Sequence, residues 1–129
     1  MGQSTQILLV DEDTSFAAVY QAVLRQAGFS VRHAGGAQDA HAALMDQPAD
    51  VVITEIMLPG RNGLRLIQDL RLRSEYVATP VIVLTVLQAA DVGLYAALRE
   101  SLGISHYLVK QRTQPSQLVA AVKGLAEVG

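Results

Sequence analysis

Asp50-Val51-Val52-Ile53-Thr54-Glu55-Ile56-Met57-Leu58-Pro59-Gly60 is the stretch that decides how this chain folds. Residues 51–53 are continuously apolar and β-branched, the composition of a short strand covered on both faces. A carboxylate, Glu55, follows almost at once, and a proline–glycine turn comes after it. An ionised group just past the end of a buried strand is costly unless a cation or a reaction uses it. The same design recurs elsewhere: residues 7–10 run into Asp11-Glu12-Asp13, residues 81–84 into Thr85, and residues 107–109 into Lys110. Two acidic strand ends and one lysine-bearing end point to a pocket that handles phosphate or metal.

With residues 31–34, the short apolar runs number five. Residues 30–34, Ser-Val-Arg-His-Ala, alternate in polarity as a half-exposed edge strand does. Helical spacing fills the stretches between the runs. Thr14 or Ser15 is expected to cap a first helix reaching about Ala27, with Phe16, Val19, Val23 and Leu24 on one face and Gly28 as its stop. An alanine-rich helix over residues 37–46 ends before Pro48. Asn62 or Gly63 opens a third helix bearing Leu64, Ile67, Leu70 and Leu72. Residues 88–102 form a fourth, closed by Gly103. Pro115, at a favoured first-turn position, begins the last, which presents Leu118, Ala121, Val122 and Leu125.

Strands alternating with helices of this length predict an α/β fold, a doubly wound parallel sheet with right-handed crossovers. Ligands in such sheets sit beyond the carboxyl ends of the strands, near the switch in strand order. Asp11, Glu12, Glu55, Thr85 and Lys110 all fall at those ends. An acidic cluster can hold Mg²⁺ through carboxylates, a carbonyl and waters, while a lysine and a threonine hydroxyl can meet phosphoryl oxygens.

Bulk properties narrow the classes. A chain of 129 residues, 50% hydrophobic and 17% charged, is expected to pack a core rather than stay disordered. A net charge of −2 with only 10 basic residues, none of them in a run, argues against direct nucleic-acid binding. The absence of cysteine excludes thiolate metal sites and disulfides. No basic, apolar leader opens the chain, and no stretch nears the ~20 apolar residues of a membrane span, so a cytoplasmic location is expected. His33, His41 and His106 are scattered without metal-ligand spacing and read as surface or edge residues.

The acidic pair after the first strand, residues 50–63 with their Pro59-Gly60-Arg61-Asn62-Gly63 loop, residues 80–85, and residues 103–110 together resemble the receiver domain of two-component response regulators. The resemblance runs from Ile7 to about Glu127. It implies a flavodoxin-like five-stranded sheet in the order 2-1-3-4-5 with five helices. It further implies one receiver domain over residues 1–129, with a core near 6–127 and no output domain within it. Position by position, it implies that Asp11 and Glu12 place Mg²⁺ and that Glu55 stands at the phosphoacceptor position. The backbone carbonyl of Met57 becomes a further metal ligand, Thr85 the switch hydroxyl, Tyr107 the switch aromatic, and Lys110 the phosphoryl contact. No organic cofactor is implied. The implied partner is a histidine kinase or another signalling protein.

Several residues depart from that family's pattern. Glu55 replaces an aspartate. Its extra methylene moves the carboxylate by about 1.5 Å, and a misplacement near 1 Å can cost about a hundredfold in in-line attack. Either a dead acceptor or a built-in mimic of the phosphorylated state follows. Glu12, longer than the usual aspartate, is expected to weaken Mg²⁺. Gln111 stands where proline is usual, so a trans peptide after Lys110 is expected. Val86, in place of a small residue, is expected to crowd the pocket mouth. Residues 85–103 are longer than usual by about one turn of 3.6 residues. Their Leu87, Val92, Leu94, Tyr95 and Leu98 exceed one buried stripe, which points to a homodimer or partner on the face made by the fourth helix, fifth strand and fifth helix.

Three functions compete: a phosphorylation-deficient pseudo-receiver acting through protein contacts, a conventional receiver that accepts phosphate with Mg²⁺, and a flavodoxin-like cofactor binder. The chain opposes the third, because Asp11, Glu12 and Asp13 would repel an unchelated phosphate where such binders carry glycine or hydroxyl residues. Beyond phosphoacceptor chemistry, no enzyme is indicated.

Overall fold

A computed structural model of the protein describes residues 4–58, 62–87 and 92–128, with backbone alone for 92–94, 127 and 128. Five strands, β1 (Gln6–Val10), β2 (Ser30–Ala34), β3 (Val51–Thr54), β4 (Val81–Thr85) and β5 (His106–Val109), form one sheet in the order β2-β1-β3-β4-β5. Every neighbouring pair is parallel. Each apolar run thus becomes a strand, with bounds that differ by a residue at most. The helices are α1 (Thr14–Gln26), α2 (Ala37–Asp46), α3 (Gly63–Arg71), α4 (Val92–Leu102) and α5 (Pro115–Val128). A 3₁₀ turn at Lys110–Arg112 joins β5 to α5.

Strand side chains alternate between two faces, and the core divides accordingly. Leu8, Val10, Val52, Val81 and Val83 pack against α2, α3 and α4. Ile7, Leu9, Val51, Ile53, Ile82 and Leu84 pack against α1 and α5. Helices on both faces explain why β1, β3 and β4 are apolar at nearly every position. β2 at the edge keeps its mixed pattern, with Val31 and Ala34 buried.

Some expectations need correction. Asp13, not Thr14 or Ser15, caps α1, its carboxylate accepting from the Phe16 amide at 3.0 Å. The buried face of α1 is Ala17, Tyr20 and Leu24, while Val19 is 54% exposed. Tyr20 and Leu24 lie four residues apart on one side of the helix, and Val19 lies beyond that stripe. In α3 the buried residues are Gly63, Leu66, Ile67 and Leu70, and Leu72, just past the last turn, is 85% exposed. Asn62 caps α3, accepting from the Arg65 amide, as an ordinary helix start does. Gly28 and Gly103 do end their helices, both at positive φ. The expected start of α4 at residues 88–91, and Pro59, Gly60 and Arg61, lie outside the described residues.

The sheet's carboxyl edge assembles the strand ends. The Asp11 amide donates to the Ala34 carbonyl and the Glu55 amide to the Val10 carbonyl, so the ladder continues one step past β1 and β3. Asp11 and Glu55 are thereby side by side at the point where strand order reverses.

Candidate functional site

Two carboxylates meet one ammonium at this edge. Lys110 Nζ lies 2.7 Å from Asp11 Oδ2 and 3.4 Å from Glu55 Oε1. Asp11 and Glu55 are buried, and only 8% of the Lys110 side chain is exposed. Ionised groups at such depth persist when paired and hydrogen-bonded, and both acids are. Asp11 Oδ1 accepts from the Asp13 amide at 2.9 Å. Glu55 Oε2 accepts from the amides of Ile56 (2.6 Å) and Met57 (3.2 Å), and its Oε1 from the amide of Val86 (3.1 Å). Four donors from three elements therefore converge on one glutamate.

Thr85 is buried, and its hydroxyl oxygen accepts from the Leu87 amide at 3.1 Å. The Tyr107 hydroxyl donates to the Leu87 carbonyl at 2.9 Å, tying β5 to the segment after β4. Burial, and then the negative charge of Glu55, raise the Tyr107 pKa above the phenol's ordinary 10.0. Val86 is 47% exposed and meets Glu55 through its amide. Lys110 is followed by a trans peptide and the 3₁₀ turn.

Of the donors expected for Mg²⁺, the carboxylates of Asp11 and Glu55 are brought together by Lys110. Glu12, in the bend after β1, is exposed. Met57 contributes its amide to Glu55. Among the described residues, no three His, Cys, Asp or Glu side chains form a metal-sized group. Lys110 holds the space between the two acids. The carboxylates of Asp11 and Glu55 are the oxygen donors a divalent cation could share, and it would take the place of the Lys110 ammonium.

Two participants were not among the site residues expected from the sequence. His33, at the carboxyl end of β2, donates from Nε2 to the Asp11 carbonyl at 2.7 Å. The Phe16 ring lies under Lys110 Nζ, 4.2 Å from centroid to nitrogen. His33's place one residue before the end of an edge strand was the available clue. For Phe16 there was none, because the contact joins the first helix to the last strand.

A family model, the response regulator receiver domain, matches residues 7–123. The chain belongs to that family. It is thus a receiver domain of two-component signalling, a class whose partners are histidine kinases and other signalling proteins. Among curated relatives, the transcriptional regulatory protein AruR of Pseudomonas aeruginosa is 32% identical over 130 residues, covering 97% of this chain and 50% of that protein. The transcriptional regulatory protein GltR of the same organism is 34% identical over 119 residues, covering 92% of this chain and 48% of that protein. The receiver chain thus spans about half the length of these relatives. Of solved structures, a putative response regulator from Chloroflexus aurantiacus has a TM-score of 0.85 at 30% identity, covering 97% of this chain and 99% of that one. The BeF3-activated receiver domain of DrrB has a TM-score of 0.80 at 26% identity, with the same coverage. Among the described residues no helix is long and apolar enough to cross a membrane.

Proposed function

We propose that this receiver is a pseudo-receiver, in which Glu55 supplies from within the chain the negative charge that a phosphoryl group would bring. One observation carries the reading: both oxygens of Glu55 are already engaged, Oε1 by Lys110 and the Val86 amide, Oε2 by the Ile56 and Met57 amides. An incoming phosphoryl oxygen would compete for those same donors, and in-line attack needs an oxygen free at about 3–3.5 Å from phosphorus. Tyr107 and Thr85 then hold the segment after β4 through Leu87 without any covalent modification. Mg²⁺ binds weakly here, since a cation can enter only by displacing Lys110 from Asp11.

The module acts through protein contacts, with a histidine kinase or another signalling protein as partner. The face of α4, β5 and α5 is the surface for that partner or for a second copy. Every residue of the edge strand β5 is only half-buried there, and Leu87 is exposed beside it.

The test is Glu55→Asp. Acetyl phosphate, or beryllofluoride with Mg²⁺, should leave the NMR resonances of the wild-type pocket, Tyr107 and the Val86 amide included, where they are. The same reagents should shift them in the shorter variant. A wild-type response as large as the variant's would replace this reading with that of a conventional phosphoacceptor.

A further inference from the structure

Lys110 is held from a side that the acid pair does not supply. Its ammonium lies over the Phe16 ring, 4.2 Å from the centroid, within the ~6 Å at which a cation is attracted by an aromatic face. Phe16 in turn stacks on Tyr20, with centroids 4.5 Å apart and planes inclined by 27°. Tyr20 is buried, and its hydroxyl donates to the Thr113 carbonyl at 3.2 Å, just beyond the turn that carries Lys110. The backbone closes the circuit. The Asp13 amide donates to Asp11 Oδ1, the Asp13 carboxylate accepts from the Phe16 amide, and Asp11 Oδ2 pairs with Lys110. Asp11, Asp13, Phe16 and Lys110 thus form one ring of contacts, in which the start of α1 and the end of β5 locate each other.

We infer that Phe16 is a positioning residue for Lys110. Its ring, braced by Tyr20, holds the ammonium against Asp11 and Glu55 and keeps it from leaving the pocket. An aliphatic side chain of similar bulk would fill the space but lack the negative ring face, so packing alone would not reproduce the effect. The inference deepens the proposed self-occupied pocket and rests on it for what Lys110 does there.

Lys110 and Lys123 are the chain's two lysines, and Lys123, exposed on α5, serves as an internal reference. Trace acetylation with acetic anhydride, read by mass spectrometry, gives the Lys110-to-Lys123 ratio. It should be low in the wild type, rise about 5-fold in Phe16→Leu (about 1 kcal/mol at 1.4 kcal/mol per tenfold) and stay within about 2-fold of wild type in Phe16→Tyr, which keeps the ring. Equal ratios in Phe16→Leu and wild type would overturn the inference. So would a Phe16→Tyr ratio as high as that of Phe16→Leu. A measurement on the unaltered protein stands beside these, should a variant fail to fold. The Lys110 side-chain protons should show an upfield ring-current shift relative to those of Lys123, and coincident shifts would refute the contact. A wild-type response to beryllofluoride would sink the self-occupied pocket and leave these ratios to decide the role of Phe16 separately.

Discussion

Taking away the Lys110 ammonium would leave Asp11 and Glu55 buried together without their shared cation. Breaking a buried pair from one side commonly costs about 3–5 kcal/mol, because the remaining charge is uncompensated. Lys110→Met should therefore lower stability by about that amount in urea unfolding. Adding Asp11→Asn and Glu55→Gln should recover much of the loss, since neutral amides need no counter-ion. If Lys110→Met were neutral, the ion cluster would not be holding the pocket. Much of this cluster was legible in the chain: an acid or a lysine just past an apolar run has few structural excuses. Glu12 was not separable from Asp11 on type alone; the sheet ladder reaches Asp11, which is buried, while Glu12 lies in the bend beyond it and is exposed.

The elements carry the site in a way that a single glycine exposes. Gly63, the first residue of α3, is buried, and its amide donates to the Ile56 carbonyl at 2.7 Å. A Cβ there would collide with the carbonyl oxygen of Glu55. The helix start is thus pressed against the backbone that aims the pocket's central side chain. Gly63→Ala should cost about 1–3 kcal/mol, the range for overpacking a tight site, measured as a shift of the denaturation midpoint. An unchanged midpoint would mean that the contact relaxes freely. At the other end of α3, the Arg71 guanidinium donates to the carbonyls of Leu102, Gly103, Tyr76 and Thr79, and burial lowers its pKa. Strand positions were readable because β-branched runs with turns on either side leave little choice. Helix caps were less so: Asp13, Thr14 and Ser15 are all good caps, and Asp13 wins because its own amide is drawn to Asp11.

Across the molecule, two phenols link folding to alkaline pH. Burial raises the Tyr20 pKa, with Lys110 opposing, and burial followed by Glu55 raises that of Tyr107. The folded chain holds both protons longer than the unfolded chain, whose phenols titrate near the ordinary 10.0. Their contribution to stability is therefore complete below that pH and is lost as pH rises through the folded-state values. Unfolding midpoints should fall with pH above about 10, and Tyr20→Phe and Tyr107→Phe should each flatten that decline. Midpoints of the two variants that fall as steeply as the wild type's would remove these phenols from the account.

The α/β order, the strand positions and the chemical identity of Asp11, Glu55, Thr85 and Lys110 were determined by the chain alone, because periodicity and residue type are local properties. What Glu55 does with its extra methylene was decided only in three dimensions. Its partners are Lys110, Val86 and its own following amides, and hydrogen bonds form or fail over a few tenths of an ångström. Separate strands set those distances when they pack into one sheet. The Phe16 ring meets Lys110 for the same reason: Phe16 of α1 and Leu108 of β5 pack on one face of the sheet, and no spacing along the sequence records it.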